Sequence, residues 1–207
     1  MKTGHLLTTT VILPMLLFSS CNKKVQKEKS VNFIVIYTDD MGYGDLTATG
    51  ALGYQTPNLD QMSAQGVFFS RYYSPQAVCS ASRAGLLTGC YPNRIGFSGA
   101  LSPSSQIGIS ENEETIGEVL KKKGYATAIF GKWHLGVQNE FLPTRHGFDE
   151  FYGIPYSNDM WPFHPAGSHL FPDLPLFENE TVVNPAVTPE YQKQFTTWFT
   201  ERSIDFI

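Results

Sequence analysis

Charge is scarce in this chain and thiols are scarcer. Only 16% of the 207 residues are Asp, Glu, Lys or Arg, the formal net charge is −4, and there are three cysteines. The lack of a basic surplus removes nucleic-acid binding from the functions that the composition supports. The apolar run from Leu6 to Phe18 is too short to span a bilayer comfortably. A bridge between Cys79 and Cys90 is excluded if the segment between them is helical. About eleven residues at ~1.5 Å rise part its ends by roughly 16 Å, beyond the ~7 Å that a disulfide tolerates. What the chain does have is 42% hydrophobic residues, 14% aromatics, 18 Gly and 13 Pro. These suit one globular domain with a sizeable core and many shaped loops.

Residues 1–20 have the form of an export signal: Lys2 precedes the apolar run, which ends in small residues. Phe18-Ser19-Ser20-Cys21 resembles a bacterial lipobox, which implies a lipid on Cys21 and attachment of an exported protein to the outer membrane, at the periplasm or cell surface. An ordinary cleaved signal with an incidental cysteine is the alternative. Residues 21–30, with Lys23, Lys24, Lys27 and Lys29, read as a solvated tether. The domain proper runs from 31 to 207.

The stretch Cys79-Ser80-Ala81-Ser82-Arg83-Ala84-Gly85-Leu86-Leu87-Thr88-Gly89 organises the rest. It predicts a loop entering a short helix that stops at Gly89. Cys79 would sit where unpaired N–H groups and the helix dipole favour negative charge, with Arg83 on the same face one turn on. A buried structural cysteine is the plainer reading of such a residue.

Upstream, Val31 to Tyr37 reads as a strand buried on both faces, ending at Thr38-Asp39-Asp40. Adjacent carboxylates past the end of such a strand lie where open α/β sheets bind ligands, and their mutual repulsion calls for a cation. A solvated turn is the alternative. Thr56-Pro57 starts a helix that Gly66 closes, and Val67 to Tyr73 predicts a strand leading to Cys79. Ser110 and Glu113 form a capping box for a helix bearing Ile116, Val119 and Leu120 and ending at Lys121 to Lys123 and Gly124. Tyr125 to Phe130 predicts a second buried strand, giving strand, helix and strand in alternation. If extended geometry persists, Lys132 and His134 then point to one side and Trp133 to the other. Residues 161–175, with Trp161, Phe163, His164, His169 and Phe171 among prolines, form an irregular loop. Gln192 to Ile207 predicts an amphipathic helix.

Three of these segments carry a resemblance. Cys79-Ser80-Ala81-Ser82-Arg83 with Leu87-Thr88-Gly89, the run Asp39-Asp40-Met41-Gly42-Tyr43-Gly44-Asp45, and Gly131-Lys132-Trp133-His134-Leu135-Gly136 resemble motifs of the type I sulfatases. His146-Gly147-Phe148-Asp149 through Ser157 resembles the segment that follows in arylsulfatase A and N-acetylgalactosamine-6-sulfatase relatives. Cys90 departs from the arginine that the family commonly has. The resemblance implies an α/β, alkaline-phosphatase-like sandwich, with a central, mostly parallel sheet flanked by helices and here truncated. It implies hydrolysis of sulfate monoesters, on a sulfated small molecule or glycan, by formylglycine made from Cys79. Arg83 and His134 would be catalytic, Lys132 and Ser157 would bind substrate, and Asp39, Asp40 and the modified Cys79 would ligate Ca2+.

Ala81, in place of the commoner proline, suggests maturation by an anaerobic radical-type enzyme. A family member would need further ligands, an Asp-Asn pair with another histidine and lysine, which no residue here supplies. The chain is therefore expected to be the N-terminal part of a longer protein, or a truncated and inactive product. A related phosphonate or phosphodiester hydrolase, or a non-catalytic remnant, are the alternatives.

Overall fold

The computed structural model describes residues 31–168 and 170–207. The export segment, the tether with Cys21, and His169 lie outside the described residues. The chain divides into two compact units, 1–38 and 39–207.

In the first unit, residues 31–38 form no strand, and Val31, Phe33, Ile34, Val35 and Ile36 are exposed. The expected buried strand from Val31 to Tyr37 is thus not formed. A run of β-branched and aromatic residues fits a pleated, half-buried surface only when a neighbouring strand completes it.

The second unit is built on a four-stranded mixed sheet in the order β1-β2-β3-β4. Strand β1 (Ala128–Lys132) pairs in parallel with β2 (Glu150–Ile154), in a register that sets Ala128 opposite Glu150 and Lys132 opposite Ile154. The antiparallel strands β3 (Leu176–Glu178) and β4 (Thr181–Asn184) follow. The ladder continues past β1, because Trp133 N–H donates to the Ile154 carbonyl at 2.9 Å and His134 N–H to that of Pro155 at 3.1 Å. Period-2 alternation along β2 sends Phe151 into one apolar cluster and Tyr152 and Ile154 into another. The first cluster includes Ala81 and Ala84, and the second Phe195, with Trp198 and Phe199 packed against it, so helices cover both faces of the sheet.

Helix α1 (Pro57–Gln65) starts on Thr56-Pro57 and stops at Gly66, as expected. Helix α2 (Cys79–Thr88) stops at Gly89, whose φ of 69° is the left-handed form that glycine accepts most readily. It packs through small residues, with Ser80, Ala81, Ser82 and Ala84 buried. Between α1 and α2, Val67 to Tyr73 is irregular and exposed instead of a strand. Helix α3 (Ile116–Lys122) begins later than Ser110 suggested. Its capping box is Thr115 with Glu118, and Thr115 Oγ1 also donates to the His146 carbonyl at 2.7 Å. That buried bond selects the later start over an equally good local motif. Strand β1 is likewise displaced from Tyr125–Phe130 to Ala128–Lys132, and Ile129 and Phe130 are half-buried. The C-terminal segment forms one turn, α4 (Pro189–Gln192), and then α5 (Phe195–Phe206), which packs against β1 and β2.

Candidate active site

The site forms where α2 begins and β1 ends. Cys79 is the first residue of α2 and a free, partly buried thiol. One turn on, Arg83 donates through Nη1 to the Lys132 carbonyl at 2.6 Å and through Nη2 to Asp39 Oδ1 at 2.8 Å. Lys132 Nζ forms an ion pair with the other oxygen of Asp39 and reaches Ser157 Oγ at 3.3 Å. The Arg83 and Lys132 side chains are only 12% and 8% exposed, so each needs a counter-charge, and Asp39 supplies both. Four of the residues singled out in the sequence, Asp39, Arg83, Lys132 and Ser157, therefore make one connected chain of polar contacts.

Burial raises the Asp39 pKa, but the Lys132 hydrogen bond and the Arg83 charge outweigh it and hold the carboxyl below the usual value. His134 is almost wholly buried, with Nε2 2.8 Å from the Leu101 carbonyl. Burial pushes its pKa down to about 4, aided by the positive charges of Lys132 and Arg83 and opposed by the Leu101 hydrogen bond and by Asp39. The imidazole is neutral near pH 7 and able to take up a proton. It does not reach this place by alternation along an extended chain. His134 has φ of +60°, so the backbone turns left-handed immediately beyond Trp133. Trp133 is the anchor: fully buried, it donates through Nε1 to the Phe141 carbonyl at 2.7 Å and stacks on His146.

Asp40 follows Asp39 at φ of +55° and is exposed. No three His, Cys, Asp or Glu residues among those described group closely enough to hold a metal ion. The structure thus does not gather Asp39, Asp40 and Cys79 into a three-ligand set. In kind the donors fit a hard cation, since two adjacent carboxylates offer the oxygen atoms that calcium prefers. In number they are part of the six to eight oxygens it takes.

Ser80 is a residue whose part sequence reasoning missed. Its Oγ accepts the Leu101 N–H at 2.9 Å and so ties the loop after α2 to the start of that helix. The carbonyl of Leu101, a main-chain atom, leaves no trace in the sequence. Thr56 and Asp60 tie the start of α1 to the preceding loop: Ala48 N–H donates to Asp60 Oδ1 and Thr47 N–H to Thr56 Oγ1, both at 2.9 Å.

A sheet covered by helices on both faces, with basic and imidazole side chains at the carboxyl end of a parallel strand, is an α/β architecture of the alkaline-phosphatase-like class. The sulfatase family profile matches residues 31–203, and the chain belongs to the sulfatase family. It is 52% identical over 134 residues to bovine (Bos taurus) arylsulfatase A, a match covering 63% of this chain and 26% of that protein. It is 37% identical over 190 residues to mouse (Mus musculus) N-acetylgalactosamine-6-sulfatase, covering 85% and 36%. Among solved structures, the PsFucS1 sulfatase from Pseudoalteromonas sp. superposes with a TM-score of 0.69 at 30% identity, covering 81% of this chain and 38% of that one. Ps i-CgsB in complex with k-i-k-neocarrahexaose gives a TM-score of 0.68 at 29% identity, covering 81% and 39%. The chain thus spans roughly a quarter to two fifths of the length of these relatives.

Proposed function

We propose that this chain carries the nucleophile-bearing portion of an enzyme that hydrolyses sulfate monoesters. The observation that carries the reading is the contact chain Asp39–Arg83–Lys132–Ser157 beside the helix that Cys79 opens, in a member of the sulfatase family. Arg83 and Lys132 are buried cations suited to the oxygens of the anionic sulfate group of such an ester, and Ser157 adds a hydroxyl to that cradle. Formylglycine made from Cys79 would supply a hydrated aldehyde, with one hydroxyl to attack sulfur as the alcohol leaves and a second whose loss of a proton re-forms the aldehyde and expels sulfate. His134, neutral and buried, takes that proton. Asp39 and Asp40 would contribute carboxylate oxygens to a calcium ion, which when bound draws charge from the sulfate.

The substrate class we favour is a sulfated glycan. One structural neighbour is complexed with a neocarrahexaose, and another comes from glycosaminoglycan metabolism by Bacteroides thetaiotaomicron. The irregular loop 161–175 starts four residues after Ser157 and is held by aromatic pairs, Trp161 with Phe163 and His164 with Phe171. It is suited to line the entrance and select the sugar. No helix among the described residues is long and apolar enough to cross a membrane. Export, a lipid on Cys21 for membrane attachment, and an anaerobic radical-type maturase as partner complete the proposal.

The test is co-expression with that maturase, mass spectrometry of the peptide around residue 79, and assay of the sulfate and phosphate esters of one phenol. Formylglycine at residue 79 is the expected result for this chain, and sulfate-selective cleavage for a protein in which it is joined to the remaining calcium and sulfate ligands. A modified protein that prefers the phosphate ester would overturn the substrate class, and an unmodified thiol would overturn the nucleophile.

A further inference from the structure

We infer that Ser80 is a positioning residue for His134: by fixing the main chain at Leu101 it presents a carbonyl to Nε2 and leaves Nδ1 as the basic nitrogen. The inference deepens the sulfatase reading and rests on it for its catalytic meaning, though not for its geometry. A carbonyl oxygen can only accept, so Nε2, 2.8 Å from the Leu101 oxygen, carries the ring proton of the neutral imidazole. The lone pair is therefore on Nδ1. That atom is buried and has no hydrogen-bond partner within the protein, an unfavourable state for a polar atom unless something else is to occupy the place.

His146 provides an internal comparison. It too has Nε2 near a carbonyl, that of Glu140 at 3.2 Å, and an unpartnered Nδ1. Its ring, however, stacks on Trp133, and the charge that acts on it is that of Glu118. Only His134 lies in the field of Lys132, Arg83 and Asp39. A donor that reached Nδ1 would find a lone pair with no other partner in the protein.

What aims the Leu101 carbonyl is a pair of serine hydroxyls. Ser80 Oγ accepts from the Leu101 N–H at 2.9 Å, and Ser105 Oγ accepts from the Ser102 N–H at 2.9 Å. The Ser102 nitrogen belongs to the same planar peptide as the Leu101 carbonyl, so pinning one orients the other. Packing of the Leu101 side chain holds the residue in the apolar cluster, but packing has no direction, and only the hydrogen bonds set where the carbonyl points. Ser80, fully buried and adjacent to Cys79, thus links the residue that becomes the nucleophile to the tautomer of its base. In the reaction, the second hydroxyl of the residue-79 hydrate, the one not bonded to sulfur, would give its proton to Nδ1 as its C=O bond re-forms and the carbon–oxygen bond to the sulfate breaks, releasing sulfate. The imidazolium so formed keeps its Nε2–H on Leu101, and the proton later leaves to solvent.

Long-range 1H–15N spectra of the full chain labelled at histidine, recorded near pH 7 and assigned with His134→Gln, read the tautomer directly without turnover. The expected result is an Nε2–H tautomer in the wild type. Ser80→Thr, which keeps the hydroxyl, should retain it, and Ser80→Ala should give a mixture of tautomers. Ser80→Cys, close in size but a weak acceptor, should also give a mixture and serves if the alanine variant does not fold. An Nδ1–H tautomer in the wild type, or replacement spectra identical to it, would overturn the inference. In the formylglycine-bearing enzyme, Ser80→Ala should lower kcat about tenfold with KM little changed. Failure of the sulfatase reading would appear as absent sulfate cleavage and leave the tautomer result intact.

Discussion

The Nη1 of Arg83 donates to the main-chain carbonyl of Lys132 at 2.6 Å, across 49 residues of sequence. One side chain, one turn into α2, thereby joins that helix to the last residue of β1, and its other terminal nitrogen is left for Asp39. This double use needs the planar fork of a guanidinium, which an ammonium lacks. Arg83→Lys is expected to lose one of the two bonds and about 1–3 kcal/mol of stability, and Arg83→Ala more, since Asp39 and the Lys132 carbonyl would then lose a donor they share. Urea denaturation should show a lower midpoint with an unchanged m-value.

Asp39 accepts from both cations, and its pKa is held below the ordinary carboxylate value despite burial. For a depressed carboxylate the contribution to stability is fully present above the unfolded-state value and is lost as pH falls through the native one. Thermal midpoints of the wild type are therefore expected to drop below about pH 4. Asp39→Asn, less stable at neutral pH, should show a shallower drop in that acid range.

The two core histidines bring in a different pH window. Burial depresses His134 from 6.5 to about 4 and lowers His146 as well. A histidine with a lowered native pKa binds protons in the unfolded state first, so stability is complete above pH 6.5 and decays as pH falls towards 4. The gap corresponds to a contribution of order 3 kcal/mol from His134. Measured against pH, the thermal midpoint of His134→Gln should be flatter between pH 6.5 and 4 than that of the wild type. Equal slopes would mean that the imidazole is not desolvated.

Loop 161–175 tests the substrate proposal. Exchange of this loop for that of a sulfatase acting on another glycan should change the ratio of kcat/KM between two sulfated sugars while sulfate remains the group released. Loss of sulfate release with an intact fold would place the loop in the chemistry itself.

The legible parts of this molecule were those whose cause is local. Proline and glycine at the ends of α1, and glycine at the end of α2, fixed those helices to within a residue. The apolar runs 31–37 and 67–73 misled because a strand exists only through a neighbour that periodicity cannot name. The start of α3 moved from Ser110 to Thr115 because a distant carbonyl, that of His146, decided between two local caps. At the site, residue types pointed to Asp39, Arg83 and Lys132. The left-handed turn at His134 and the Leu101 carbonyl were hidden, since backbone conformation and main-chain acceptors have no letter of their own.

Gly153 sits opposite Gly131 in the parallel pair, where the strands meet below the site. A Cβ built on Gly153 would lie 1.8 Å from the Gly131 carbonyl oxygen, a contact with main chain that no rotamer can relieve. Gly153→Ala must therefore push β1 away from β2, and the next residues along those strands are Lys132 and Ile154, whose neighbours carry the ladder into Trp133 and His134. The expected result is a loss of more than about 3 kcal/mol or failure to fold. Gly99→Ala is the control, because a Cβ there meets nothing within 4 Å, and its effect should stay within about 0.5 kcal/mol. If the two alanine variants unfolded at the same urea concentration, the close approach of β1 and β2 would not be what holds Lys132 and His134 in place.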